Sequence, residues 1–151
     1  MYLEDYLEGV TFQMPSVSLT EEEIMDYARI YDPRPIHVDR GAAETSRFGR
    51  IIASGFHTLN ACWSKWVHTK LDEGGLVAGM GMDNLRWLKP VYAHEPLYTT
   101  IVVDRVEIKK GGDYGVVYMH VVARDEKGEA KMELDVSFLA ASRSVENATT
   151  K

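Results

Sequence analysis

Polar and apolar positions along the chain change their period twice. Over residues 10–18 they alternate weakly through Val10, Phe12 and Met14, which predicts a short strand, and Pro15 confines it to a sheet edge. Thr20-Glu21-Glu22-Glu23 then opens a helix. Thr20 suits the cap of the Glu23 amide, Glu23 reaches back, and an acidic first turn favours the helix dipole. Ile24, Tyr27, Ala28 and Tyr31 share one face of it, and Pro33 ends it because the residue before a proline is pushed out of the α region. Pro33 and Pro35 are expected to hold the next segment extended. Asp39 is placed to cap a second short helix over 40–46, and Phe48-Gly49 reads as a turn. From 54 to 71, Phe56, Leu59, Trp63, Trp66, Val67 and Leu71 recur at helical spacing. Ser54 is the expected N-cap, Lys70 suits the C-terminal dipole, and Gly74-Gly75 is the expected stop.

Beyond Gly75 the texture becomes that of strands. Residues 76–88 alternate loosely until Lys89-Pro90-Val91, and 97–109, 114–124 and 129–141 are rich in β-branched or alternating positions. Gly111-Gly112-Asp113 and Asp125-Glu126-Lys127-Gly128 supply the turns between them. Helices first and an antiparallel meander second predict an α+β domain in which the sheet wraps the long helix. No internal repeat interrupts this order. One domain is expected over 1–151, with 1–9 and 144–151 loosely held.

Composition narrows the function. The net charge is -6 with no run of Lys or Arg, which argues against a nucleic-acid partner. No stretch approaches the ~18 apolar residues of a membrane span, and the acidic MYLEDYLEGV start lacks the apolar core of a signal peptide. Cys62 is the single cysteine, so no internal disulfide forms and a reducing, cytoplasmic setting is expected. Asn147-Ala148-Thr149 matches a glycosylation acceptor only by chance in such a setting.

Tyr31 to Gly55 holds the candidate chemistry. Asp32 and His37, set around two prolines, would hold a water between them, one group taking a proton and the other giving one. The same residues also fit a proline-rich turn with an Asx cap and a surface histidine. His37-Val38-Asp39 matches the start of a two-histidine, one-carboxylate iron site, with His57, His68, His94 or His120 as the second histidine. That reading needs a sheet edge where Asp39 reads as a helix cap. Ser54-Gly55 offers free amides at a helix start, suited to an oxyanion or to ordinary capping. Trp63, Trp66 and Cys62 read as core, and Gly79-Met80-Gly81 lacks the third glycine of a dinucleotide fingerprint.

In order, these residues resemble the MaoC-like family of (R)-specific enoyl-CoA hydratases and acyl dehydratases, of the hot-dog fold. The likeness rests on Asp32-Pro33-Arg34-Pro35-Ile36-His37, where the family shows D-x-N-P-x-H. It continues through Ala42-Ala43, through Phe48-Gly49-Arg50-Ile51-Ile52-Ala53-Ser54-Gly55, and through Asn84-Leu85-Arg86-Trp87-Leu88-Lys89-Pro90-Val91. The resemblance implies a homodimer or a multiple of one. It also implies an acyl-CoA or acyl-carrier thioester as substrate, and water activated by Asp32 and His37 without metal or cofactor. The Gly55 amide, beside Ser54, would bind the thioester oxygen. Three departures stand out: Arg34 replaces the family asparagine, Tyr31 replaces a glycine, and Asn60 stands where some hydratases carry a serine near the site. Arg34 would weaken Asp32 as a base, or bind an acidic acyl group or a CoA phosphate. Two alternatives remain open, a hot-dog thioesterase and a non-catalytic acyl-thioester binding protein. The first commonly has a carboxylate on the central helix, and 54–71 has none.

Overall fold

The computed structural model describes residues 1–145; the Asn147-Ala148-Thr149 match and residues 146–151 of the polar tail lie outside them. Among the described residues one antiparallel sheet contains five strands: β1 (Thr11–Gln13), β2 (Leu76–Trp87), β3 (Tyr98–Ile108), β4 (Tyr114–Arg124) and β5 (Ala130–Ala141). Their spatial order is β1-β3-β4-β5-β2, which leaves β1 and β2 at the edges. Among the described residues four α-helices precede or interrupt them: α1 (Glu21–Tyr31), α2 (Pro35–Val38), α3 (Arg40–Thr45) and α4 (Gly55–Thr69). None is long and apolar enough to cross a membrane.

The period-2 pattern of β4 decides which side faces inward: Val117, Met119, Val121 and Ala123 are buried, and Tyr118, His120 and Val122 between them are half-buried. The inward set joins Ile101 and Val103 of β3, Leu134 and Val136 of β5, and Leu59, Cys62 and Trp66 of α4 in one core. This is a helix wrapped by a sheet, the hot-dog fold. β2 is bulged, with a register shift between Asp83 and Arg86 where Asn84 takes φ 52°.

Several expectations are corrected. Residues 1–9 are not loosely held: Leu3 and Tyr6 lie in the core, and Tyr6 meets Phe138 edge-on at 5.4 Å. Glycines make room for this segment, since a Cβ on Gly75 would lie 2.4 Å from the Met1 carbonyl and one on Gly115 2.5 Å from Leu3. Gly74-Gly75 therefore do not stop the long helix. It ends at Thr69, with Lys70 in the left-handed region at φ 57°. Its apolar stripe is also split. Leu59 and Trp66 are buried with Thr58 and Cys62, whereas Phe56 and Val67 are 52% and 53% exposed. One face of α4 packs into the sheet; the stripe Phe56, Trp63, Val67 turns toward edge strand β2. On α1, Tyr31 is likewise exposed, and Ile24, Met25 and Ala28 fill the core.

Candidate active site

The site begins with the end of α1. The predicted capping box forms at its start, with the Thr20 hydroxyl accepting from the Glu23 amide and Glu23 returning to the Thr20 amide. At its end Asp32 leaves helical geometry (φ -154°, ψ 67°) while its amide still donates to Ala28, which turns the carboxyl away from the helix. Beyond Pro33 the expected extended segment is instead one turn of helix, α2, with Pro35 at its first position. A proline there gives up an N–H that had no partner, and its fixed φ suits the turn. That turn carries His37 back over Asp32.

Both groups are buried, Asp32 at 8% and His37 at 5% exposure. His37 Nδ1 lies 2.7 Å from the Ile52 carbonyl. A carbonyl only accepts, so Nδ1 holds the proton and Nε2 faces Asp32 Oδ2 at 3.5 Å. The same Oδ2 accepts the Ser54 hydroxyl at 2.7 Å, and Oδ1 is paired with the Arg34 guanidinium. The segment bearing Ile52 and Ser54 is fixed on both sides: Ile52 N donates to Ile36 O, and Ala53 N to Val91 O.

At the start of α4 the first helical bond runs from Thr58 N to Ser54 O, so the amides of Gly55, Phe56 and His57 have no intrahelical acceptor. Ser54, the expected cap, makes no side-chain capping bond; its hydroxyl goes to Asp32 instead. The indole of Trp87 lies against Gly55 so closely that a Cβ there would come within 2.3 Å of the ring. His37, Gly55, Thr58 and Trp87 line a cleft of about 360 Å³, with Arg47 and Lys89 also on its walls.

The structure thus brings Asp32, His37, Arg34 and Ser54 into contact and puts Gly55 beside His37 in the cleft. Asn60 is not among them. Its amide donates to the Tyr27 hydroxyl at 2.9 Å on an exposed face. Asp39, the carboxylate that the iron reading requires, accepts from the Ala42 amide and caps α3. Of the candidate second histidines, His57 stacks on Tyr27, His68 bonds to the Ser64 carbonyl, and His120 pairs with Asp135. Among the described residues no three His, Cys, Asp or Glu side chains converge as metal ligands would. Cys62 is buried, and burial pushes its thiol up.

Thr58, Trp87 and Lys131 escaped the sequence reading of the site. Trp87 sits inside the Asn84 to Val91 motif, so its signal was present. Lys131 had none, because it is buried next to inward-facing Met132, out of phase with the strand's alternation. Burial pulls its ammonium down, but Glu95 at 2.8 Å and Asp125 at 3.4 Å hold it above its ordinary value.

A family model described as "MaoC like domain" matches residues 7–124. YdeM, an uncharacterized protein of Bacillus subtilis, is 29% identical over 139 residues, covering 92% of this chain and 98% of that protein. The crystal structure of a MaoC-like dehydratase from Rhodospirillum rubrum superposes with a TM-score of 0.86 at 26% identity, over 95% of this chain and 98% of that one. An (R)-hydratase from Pseudomonas aeruginosa shares the fold, with a TM-score of 0.71 at 18% identity over 94% of this chain and 86% of that one. A family model spanning most of the chain, on a hot-dog fold with the expected motif folded round one cleft, is sufficient: this chain belongs to the MaoC-like domain family.

Proposed function

We propose that the chain is a hydratase/dehydratase that adds water to, or removes it from, the C2–C3 bond of an enoyl or 3-hydroxyacyl thioester. The observation that carries this is the buried pair of Asp32 Oδ2 and His37 Nε2, 3.5 Å apart, near the start of α4, where the Gly55 amide has no intrahelical acceptor. A water bound to both atoms loses a proton to one of them as its oxygen attacks C3, and that group, now protonated, passes the same proton on to C2, so that one water is added and both groups end as they began. Charge developing on the thioester oxygen falls to the Gly55 amide and the positive end of α4. The name of the Rhodospirillum rubrum relative, a dehydratase, agrees with this reading. The chemistry needs no metal or cofactor.

A second reading keeps the ligand and drops the chemistry. Arg34 is paired with Asp32 Oδ1, the arrangement expected of a non-catalytic thioester-binding protein. The Arg34 side chain is 69% exposed and leaves Oδ2 on Ser54 and His37, which favours catalysis. The thioesterase reading lacks its usual group, since α4 carries no Asp or Glu.

The working unit is a homodimer or a multiple of one, acting in the cytoplasm. Edge strand β2 exposes Leu76, Val77, Met80, Met82 and Trp87, and Phe56 and Val67 of α4 extend that apolar surface. Patches of this kind mark interfaces, and a second copy of β2 would satisfy the unpaired edge. Light scattering at micromolar concentration is expected to give at least twice the chain mass.

The deciding assay follows enoyl absorbance and free thiol with crotonyl-CoA. Loss of absorbance without thiol, and its suppression by about a hundredfold or more in Asp32→Asn, is the expected result. Released thiol establishes a thioesterase, and neither signal in the wild type establishes a binder.

A further inference from the structure

The walls of the cleft carry three cationic side chains, Arg47, Lys89 and Lys131, and no Asp or Glu. In a chain of net charge -6 this is a local reversal of sign. The neighbouring depression, with Asp125, Glu126, Glu129 and Lys127, is mixed. The three cations are not equivalent. Lys131 is buried and neutralised by Glu95, Asp125 and Glu129. Lys89 is half-exposed and has Glu129 at 3.5 Å. Arg47 is exposed and pairs with no carboxylate among the described residues; its guanidinium carbon lies 5.7 Å from the centre of the Phe48 ring. Such a ring contact leaves the planar fork of N–H donors available. Arg34, considered above for this role, is committed to Asp32.

We propose that Arg47, with Lys89 beside it, is the phosphate-binding edge of this cleft and holds the phosphate of a pantetheine-bearing carrier. This rests on the thioester reading and names the part of the substrate that the acyl chemistry leaves unrecognised. A guanidinium without a carboxylate partner matches a phosphate in bidentate geometry. Two carriers present that group: coenzyme A, and a carrier protein bearing 4′-phosphopantetheine.

Calorimetry on the full chain with coenzyme A, 4′-phosphopantetheine and phosphate-free pantetheine tests this without any turnover. Coenzyme A is expected to bind the wild type at least about tenfold more tightly than pantetheine, as two charge-assisted bonds would give. The gap narrows as salt rises. In Arg47→Ala/Lys89→Ala coenzyme A is expected to bind no better than pantetheine; should that variant not fold, Arg47→Gln alone reads the same gap. If 4′-phosphopantetheine matches coenzyme A, the bound group is the phosphate that both carriers share. If it is weaker but still exceeds pantetheine, the nucleotide phosphates add to it. A wild type that binds coenzyme A and pantetheine alike, or a variant that keeps the full gap, overturns the proposal. A catalytically silent protein that still shows the gap would sink hydration and leave the phosphate site standing.

Discussion

Ser54 donates its hydroxyl to Asp32 Oδ2 at 2.7 Å and makes no capping bond to α4, the helix that it precedes. The residue type that ordinarily closes a helix start is drawn to the carboxylate instead, which orients Asp32 and leaves the first amides of α4 open. A hydrogen bond to a charged group is typically worth ~1.5–3 kcal/mol, or about ten- to a hundredfold in rate where it serves the transition state. Ser54→Ala is therefore expected to lower kcat by that factor, with little change in helix content by circular dichroism. An unchanged kcat would show that Asp32 needs no orientation from this side.

Arg34→Asn restores the family's residue at the position that is paired with Asp32. Removing the guanidinium from Oδ1 frees Asp32 to act on water, so hydration of a simple enoyl-CoA is expected to stay equal or become faster. Steady-state kinetics decide it. A fall of tenfold or more, with the fold intact, would make Arg34 part of the machinery.

Gly55 has an ordinary backbone angle, so its need for glycine lies in space alone. A Cβ would reach within 2.3 Å of the Trp87 indole. Gly55→Ala is expected to destabilise the protein by about 1–3 kcal/mol in urea unfolding, the usual cost of overpacking. In a Trp87→Ala background the same change should cost little, and the difference is a coupling between the two sites. Equal costs in both backgrounds would mean that the ring moves aside freely.

His57 stacks on Tyr27 at 4.3 Å, and its Nδ1 is buried without a hydrogen-bond partner. Burial holds its pKa below the ordinary histidine value, against a smaller opposing pull from Glu23. The unfolded chain therefore takes up this proton first. The stabilising contribution is present above the unfolded value of about 6.5 and is lost as pH falls through the lower folded value. Thermal unfolding from pH 8 to pH 5 is expected to show a falling Tm that His57→Phe makes shallower. Parallel curves would assign the acid sensitivity elsewhere.

The sequence by itself determined the local structure wherever the cause was local. Thr20 and Glu23 three apart form a capping box, Asp39 caps α3, and alternating β-branched runs with Gly-rich turns make the β3-β4-β5 meander. The strand expected over residues 10–18 is an edge strand, but it is shorter, Thr11–Gln13, and stops before Pro15. Asp32, His37 and Gly55 were legible as an ordered motif. Tertiary structure alone decided what each side chain meets. Ser54 became a ligand of Asp32 because α1 ends over the start of α4, a juxtaposition separated by 22 residues. Asn60 turned to Tyr27 and Arg47 to the cleft for the same kind of reason. Leu3 and Tyr6 entered the core because Gly115 and Gly75 leave room for the segment that carries them, and nothing in nine weakly periodic residues announces that room. Backbone propensity and capping act over a few residues and can be read in order; contact between distant segments depends on how the sheet curves round its helix, which no short stretch of sequence contains.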